Sequence, residues 1–93
     1  MSGKNSEFEI VFSPQAVKDL KKLDKPAQVC IKTAIQKLAW FPPTVRIIKL
    51  KGGNNTEMRL RVGKWRVIFE YSFSEKCVRI LRIKHRRDAY KNN

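Results

Sequence analysis

Long hydrophobic runs are missing from this sequence of 93 residues, and its N-terminal segment is polar. A membrane-spanning helix needs about 20 consecutive apolar residues, and a secretory signal peptide needs an apolar stretch followed by a cleavage site. Neither pattern occurs, so we expect a cytoplasmic protein that does not associate with membranes. The length predicts a single domain over residues 1–93, because a chain of this size builds one hydrophobic core.

Cysteine is scarce, with only Cys30 and Cys77, and His85 is the single histidine. Neither cysteine has the spacing of a metal-ligand pair, and both lie on segments with an apolar pattern, which is typical of buried, reduced thiols. A glycine-rich phosphate loop and a Ser/His/Asp set are also lacking. These absences argue against metal, nucleotide-triphosphate and serine-hydrolase chemistry, and we expect no cofactor and no metal ion.

Acidic residues are few: eight stand against 21 basic ones, which gives a net charge of +13. Residues 1–45 hold seven lysines and four acids (+3), whereas residues 46–93 hold fourteen basic residues and four acids (+10), including all eight arginines. Arginine suits bidentate contacts with phosphate. The second half of the chain is therefore predicted to bind a polyanion.

The first half of the chain has the pattern of one strand followed by two helices. Apolar and polar residues alternate over residues 8–12, and Ser13-Pro14 is a helix start because Ser caps orphan amides and Pro lacks one. A second helix restarts at Pro26 and ends by Pro42-Pro43. Its apolar stripe holds Ala27, Cys30, Ile31, Ala34, Ile35 and Leu38, while the first helix is expected to turn Lys18, Asp19, Lys21 and Lys22 to solvent.

The second half predicts a β-hairpin over residues 56–71, with a two-residue turn at Gly63-Lys64. Counting outward places Arg61 opposite Arg66, where like charges repel. The apolar face is formed by Met58, Leu60, Val62, Trp65, Val67 and Phe69. Residues 45–50 are a short extended piece, residues 77–84 are a last strand, and residues 85–93 are a basic tail or a short terminal helix. The expected fold is α+β with the order βααβββ, an antiparallel sheet carrying a helical hairpin on one face and a short basic C-terminal segment.

The arginines of the hairpin, with His85, Arg86, Arg87 and Tyr90, form a set suited to binding and cutting RNA. Metal-free cleavage requires a base for the 2′-hydroxyl, cations for the charge on phosphorus and an acid for the leaving oxygen. Arginine supplies the cations but cannot act as the base, because its pKa lies above about 12. Glu57 and His85 are the candidate bases. Each of these residues also has a structural alternative. The hairpin arginines could belong to a solvated sheet face, His85 could be an ordinary histidine, and Tyr90 could anchor the terminus on the core.

Three blocks of this sequence resemble the RelE/ParE superfamily of type II toxins. They are Lys49-Leu50-Lys51-Gly52, the hairpin Arg59-Leu60-Arg61-Val62-Gly63-Lys64-Trp65-Arg66-Val67-Ile68-Phe69, and the terminal His85-Arg86-Arg87-Asp88-Ala89-Tyr90. The resemblance implies a RelE/ParE-like fold and a cognate antitoxin, acidic or carrying an amphipathic helix, that wraps the basic face. RelE-like members cleave mRNA in the ribosomal A site, whereas ParE-like members poison DNA gyrase.

By matching position, the resemblance implies that Arg66 contacts the scissile phosphate, that Arg86 is the C-terminal basic residue used for acid or charge stabilisation, and that Tyr90 is the terminal tyrosine. Arg59 stands where RelE-like enzymes often have lysine, and Glu57 where another basic residue can occur. The predicted catalytic set is Arg59, Arg61, Arg66, Arg86 and Tyr90. The predicted RNA contacts are Lys49, Lys51, Lys64, Arg82, Lys84, His85 and Arg87.

The prediction is a metal-independent, ribosome-dependent mRNA endonuclease of a toxin-antitoxin system, with mRNA and the ribosome as partners. Two alternatives stay open. One is a ParE-like inhibitor of DNA gyrase, and the other is a catalytically inactive RNA-binding relative, whose phosphate binding would depend strongly on salt.

Overall fold

The structure is a computed structural model that describes residues 6–41, 47–49 and 57–89. Its strands are β1 (Ser6–Glu7), β2 (Glu9–Phe12), β3 (Trp40–Phe41), β4 (Ile47–Lys49), β5 (Met58–Val62), β6 (Trp65–Ser72) and β7 (Cys77–His85). Its helices are α1 (Pro14–Lys21), α2 (Lys25–Gln36) and α3 (Arg86–Ala89), and a 3-10 turn (Lys37–Ala39) follows α2. No helix within these ranges is of a length and apolarity that would let it cross a membrane.

Five strands form one sheet in the order β2-β7-β6-β5-β4, and β1 pairs separately with β3. The α+β prediction is confirmed, and the extended piece at residues 45–50 contains β4. The sheet is mixed rather than wholly antiparallel, because β2 runs parallel to β7 while the other neighbours are antiparallel. Local alternation predicts a strand but not the direction of a partner that lies more than sixty residues away.

The first helix start follows the predicted capping chemistry, and the second uses the same chemistry with Asp24 as its cap. The Ser13 Oγ accepts a hydrogen bond from the Ala16 amide at 3.1 Å, and an Asp24 carboxylate oxygen accepts one from the Ala27 amide at 3.1 Å. In each helix a proline occupies the first turn, where an amide would have no partner inside the helix. The interruption between the two helices is thereby explained by sequence alone.

The helices pack on one sheet face, and that interface is the hydrophobic core. Its buried members include Ala16, Leu20, Ile31, Ile35, Leu38, Leu60, Val67, Phe69, Val78, Ile80 and Ile83. The Tyr71 hydroxyl donates to the Leu38 carbonyl at 2.9 Å, and burial raises the pKa of Tyr71 to about 12. The tyrosine therefore stays neutral and ties β6 to the end of the helical layer.

The two cysteines differ in their environments, although both were expected to be buried. Cys77 is buried, but Cys30 is exposed, so that part of the prediction is wrong. The wholly buried line of α2 runs through Ile31, Ile35 and Leu38. Cys30 lies at the margin of this line and borders an open groove between α2 and Val62.

Asp19 is also misplaced by the prediction, which turned it to solvent with the lysines of α1. It is 7% exposed and accepts hydrogen bonds from the Ile83 amide at 3.0 Å and from the Arg82 Nε at 2.8 Å. The reason is the free edge of β7 beyond Ile80, where the pairing with β2 ends. Buried backbone amides require acceptors, and the carboxylate of α1 supplies one at this edge.

A candidate nucleic-acid interface at the hairpin tip

The hairpin of β5 and β6 has the predicted register. Gly63 has a φ of +58°, and Lys76 is the only described non-glycine residue with a positive φ, so Lys64 has an ordinary φ. Glycine alone at the first central position indicates a type II′ turn, whose twist suits a hairpin. Arg61 lies directly opposite Arg66, as predicted.

A row of three cations crosses the sheet on the face away from the helices. Arg61 on β5 pairs with Arg66 on β6, and Arg66 pairs in turn with Lys84 on β7. Directly opposite residues share a face, and like charges so placed repel. This face therefore requires groups that offset its positive charge.

Arg66, at the centre of the row, has protein acceptors. Its side chain is buried, with the residue 3% exposed, and its Nη1 donates to the carbonyl oxygens of Gly63 and Trp65, each at 2.8 Å. The Arg66 guanidinium therefore has protein acceptors in this structure, and its contact with the scissile phosphate stays a prediction. Arg61, in contrast, is exposed. Arg66 is buried because the carbonyl oxygens of Gly63 and Trp65, in and beside the turn, accept hydrogen bonds from its guanidinium.

The C-terminal helix is attached to the hairpin turn. The Arg86 amide donates to the Lys64 carbonyl at 2.7 Å, which brings the turn and the start of α3 to the same end of the molecule. Four exposed cations meet at this end: Arg61, Lys64, Arg86 and Arg87. We call these four residues the tip cluster.

His85 lies on the helix side of the sheet, in register with Trp65, and not in the row of Lys84 and Arg66. Its ring meets the Trp65 ring edge-on, with the centroids 5.5 Å apart. Its Nδ1 accepts a hydrogen bond from the Arg87 amide at 3.1 Å. This contact assigns the proton of the neutral ring to Nε2, which is then a donor. The arrangement disfavours His85 as the general base.

Arg82 was predicted to contact RNA, but its guanidinium binds the carboxylate of Asp19 through Nε at 2.8 Å and Nη2 at 3.4 Å. Burial raises the pKa of Asp19. The hydrogen bonds from Arg82, the Ile83 amide and Gln15 together lower it by more, so the net pKa is below its usual value. The ion pair is thus a structural link between α1 and β7. With its side chain 41% exposed, Arg82 keeps an open side.

The remaining predicted residues are dispersed. Arg59 lies opposite Ile68 on the outer face and is half-buried, and Glu57 is a half-buried residue just before β5. Lys84 is half-buried on β7, and Lys49 belongs to β4. Lys51 and Tyr90 lie outside the described residues. The tip cluster is thus the part of the predicted constellation that the fold brings together.

Asp19 is the functional-looking residue that the sequence interpretation missed, although a signal for it exists. It lies three residues after Ala16 and four before Leu23, at the spacing of an apolar stripe that runs from α1 into the residues after it. An acid at a core position of a helix requires a buried partner. That rule would have separated Asp19 from the neighbouring lysines.

The comparisons with known proteins place this fold among toxins. The family model of the ParE toxin of type II toxin-antitoxin systems, parDE, matches residues 10–90. The chain is 27% identical to a chain of the archaeal RelE-RelB complex from Pyrococcus horikoshii OT3, with a TM-score of 0.72 and coverage of 86% of this chain and 96% of that one. No curated protein matches it.

Two further solved structures are similar. A chain of the RelB-RelE antitoxin-toxin complex from Methanococcus jannaschii is 28% identical, with a TM-score of 0.69 and coverage of 86% of this chain and 94% of that one. A chain of the RelBE2 toxin-antitoxin complex from Mycobacterium tuberculosis is 23% identical, with a TM-score of 0.74 and coverage of 86% and 92%. At 23% identity, the similarity to the Mycobacterium tuberculosis chain shows a shared fold.

Proposed function

This chain belongs to the ParE toxin family of type II toxin-antitoxin systems, and from that premise we propose that it is a RelE-like endoribonuclease that cleaves mRNA in the A site of the translating ribosome. A toxin of such a system has a cognate antitoxin as its partner. The proposal draws support from the similarity to chains of two RelE-RelB complexes at 27% and 28% identity. It draws further support from the chemistry of the tip cluster.

The observation that carries the proposal is the hydrogen bond between the Arg86 amide and the Lys64 carbonyl. It joins cations from two distant parts of the chain at one exposed end. Fixed cations aimed at a phosphate stabilise the charge that develops during phosphoryl transfer without reorganising. Guanidinium groups do this with paired, charge-assisted hydrogen bonds.

The proposed reaction is attack of the ribose 2′-oxygen on the adjacent phosphorus. The 2′-hydroxyl loses its proton to a base, a 2′,3′-cyclic phosphate forms, and the 5′-oxygen leaves with a proton from an acid. Arg61 and Arg86 offset the extra charge on the phosphoryl oxygens, and the His85 Nε2–H donates a hydrogen bond to one of them.

The proton transfers are assigned to Tyr90, which the family resemblance pairs with Arg86. Glu57 suits this role less well, because it precedes Arg61 by four residues, about 13 Å along an extended strand. One phosphate cannot contact both ends of that span. Replacing each residue separately, by Tyr90→Phe and Glu57→Gln, distinguishes the two assignments.

The test is cleavage of mRNA on purified, programmed ribosomes, with the 5′ ends of the fragments mapped. We expect the purified protein to cut within codons, and Arg61→Ala or Arg86→Ala to slow cleavage by about 100-fold or more. Arg79→Ala is the matched control, since it removes a guanidinium from the far end of β7. Absence of cleavage by the unmodified protein on programmed ribosomes contradicts the proposal.

A second function, inhibition of DNA gyrase, is favoured by the match of residues 10–90 to a ParE model. It predicts toxin-dependent trapping of gyrase on supercoiled DNA and no cuts in ribosome-bound mRNA. Binding of RNA with strong salt dependence and neither activity would indicate the inactive relative.

A further inference from the structure

A cleft of about 560 Å³ lies between the end of α1 and the end of β7, beside the tip cluster. Its walls include Lys22 just after α1, Trp65 of β6, Lys84 and His85 of β7, and Asp88 of α3. The Asp19-Arg82 ion pair also lines it. Of these residues, the reaction proposed above uses only His85.

One side of the cleft is aromatic. Trp65 is half-buried against the core, and the His85 ring stands nearly perpendicular to it, at 81° and 5.5 Å between centroids. The Lys64 Nζ lies 5.8 Å from the centroid of the Trp65 ring. Aromatic rings beside cations are the surface on which unpaired RNA bases stack.

The cleft carries charged groups of both signs, with two lysines and one unpaired carboxylate among the described residues. Lys22 and Lys84 contribute positive charge, and the charge of Asp19 is already matched by Arg82. Asp88 is exposed at the mouth and forms no hydrogen bond or ion pair within the ranges that the structure describes. A carboxylate accepts hydrogen bonds but donates none. Uracil offers such an acceptor only one N–H, between two carbonyl oxygens that a carboxylate repels, so Asp88 favours a base that carries an exocyclic amino group.

The residues that line the cleft adjoin the tip cluster in the sequence. His85 lines the cleft, and Arg86 and Arg87 of the tip cluster follow directly. A nucleotide whose phosphate is held by the tip cluster can place its base in the neighbouring cleft. A peptide of acidic residues would satisfy the lysines but would set its carboxylates against Asp88 and leave the aromatic side unused.

We propose that this cleft is a base-binding subsite for the RNA nucleotide next to the scissile phosphate, selecting bases with an exocyclic amino group over uracil through Asp88. The assignment of the ligand as substrate rests on the proposed function. Binding of a nucleotide to the cleft does not depend on cleavage, and this makes the two separately testable.

The binding experiment uses the full chain carrying Trp40→Phe, so that Trp65 is the only remaining tryptophan. AMP and UMP are titrated while the Trp65 fluorescence is followed. We expect saturable quenching by AMP and about tenfold weaker binding of UMP, the effect of one hydrogen bond to a charged group. Asp88→Asn should abolish the preference, because an amide donates to uracil as readily as it accepts from adenine. Asp24→Asn is the matched control and should retain it.

Three results overturn the proposal: no saturable quenching by AMP, equal binding of AMP and UMP, or equal quenching by hexaglutamate. Cleavage of ribosome-bound mRNA without nucleotide-dependent quenching removes the subsite and leaves the proposed function. Quenching with the expected preference but without any cleavage removes the proposed function and leaves the subsite.

Discussion

Arg61 and Arg66 are the same residue type at facing positions of one hairpin, yet they make different contacts. Arg66 donates to two carbonyls of its own turn and is 3% exposed, whereas Arg61 is exposed. The structure therefore favours Arg66 as the residue that holds the turn. Arg61 is the one available for a phosphate.

Arg66→Lys tests this division. A lysine keeps the charge but lacks the Nη1 that donates to both carbonyls, and its ammonium is costlier to bury than a guanidinium. We expect the free energy of unfolding, from urea denaturation, to fall by about 1–3 kcal/mol. Arg61→Lys, the matched control on the facing strand, should change it by less than about 0.5 kcal/mol. If Arg66→Lys unfolds like the parent and loses only cleavage, Arg66 contacts the phosphate instead.

The elements α1 and β7 are joined by side chains at a sheet edge that β2 is too short to cover. β7 has an extra residue at Leu81, where the register with β6 shifts between Ile68 and Phe69. The Leu81 carbonyl accepts a hydrogen bond from the Ser13 Oγ at 2.9 Å, and the Ile83 amide donates to Asp19. Two side chains of the helical segment thus satisfy the backbone that a longer strand would have paired.

Asp19→Asn tests the energetic importance of this edge. Because the pKa of Asp19 is lowered in the folded chain, its ionised form contributes stability above its ordinary pKa of 3.8, and that contribution is lost as the pH falls through the folded value. At pH 7 we expect Asp19→Asn to lower the free energy of unfolding by about 1–3 kcal/mol. The difference from the parent should shrink below pH 3.8.

The control for this substitution is Asp24→Asn. Asp24 is an exposed N-cap, and asparagine caps a helix about as well as aspartate does. The stability of the Asp24→Asn variant should therefore stay close to that of the parent at pH 7 and below pH 3.8. A pH profile of Asp19→Asn that runs parallel to the parent from pH 7 to pH 2 contradicts the account.

In the whole molecule, the hydrophobic core and the cluster of basic residues lie on different sides of the sheet. The helices cover one sheet face, while the cations of the other face and of the tip point away from the core. Most of the net charge of +13 comes from the second half of the chain, which supplies the tip cluster. Binding of RNA at that end is expected to release counterions and to weaken with added salt.

The salt dependence can be measured with a labelled single-stranded RNA. Each phosphate contact contributes about 0.7 to the slope of log affinity against log salt, so Arg86→Gln/Arg87→Gln should lower the slope by about 1.4. Lys18→Gln/Lys37→Gln removes the same charge from the helical side and should leave it nearly unchanged. Equal effects of the two double variants would show that RNA binding is diffuse over the surface.

Much of the fold follows from local pattern. Ser13-Pro14 and Asp24 through Pro26 specify the helix starts, and Gly63 with its flanking alternation specifies the hairpin register. Each of these features depends on neighbours within a few residues, which is why the sequence is sufficient for them. For the candidate site, charge and residue type pointed to Arg61, Lys64, Arg86 and Arg87 within a larger set, but which members of that set lie together depended on the fold, and their roles stay predictions.

By itself the sequence determined the helix caps, the register of the hairpin and the basic character of the second half. Only the tertiary structure decided that β2 runs parallel to β7, that Asp19 is buried, that Cys30 is exposed and that Arg66 has partners inside the chain. The physical reason is range. Caps and turns are satisfied by adjacent residues, whereas the environment of a buried charge depends on which distant backbone groups the packing leaves without a partner.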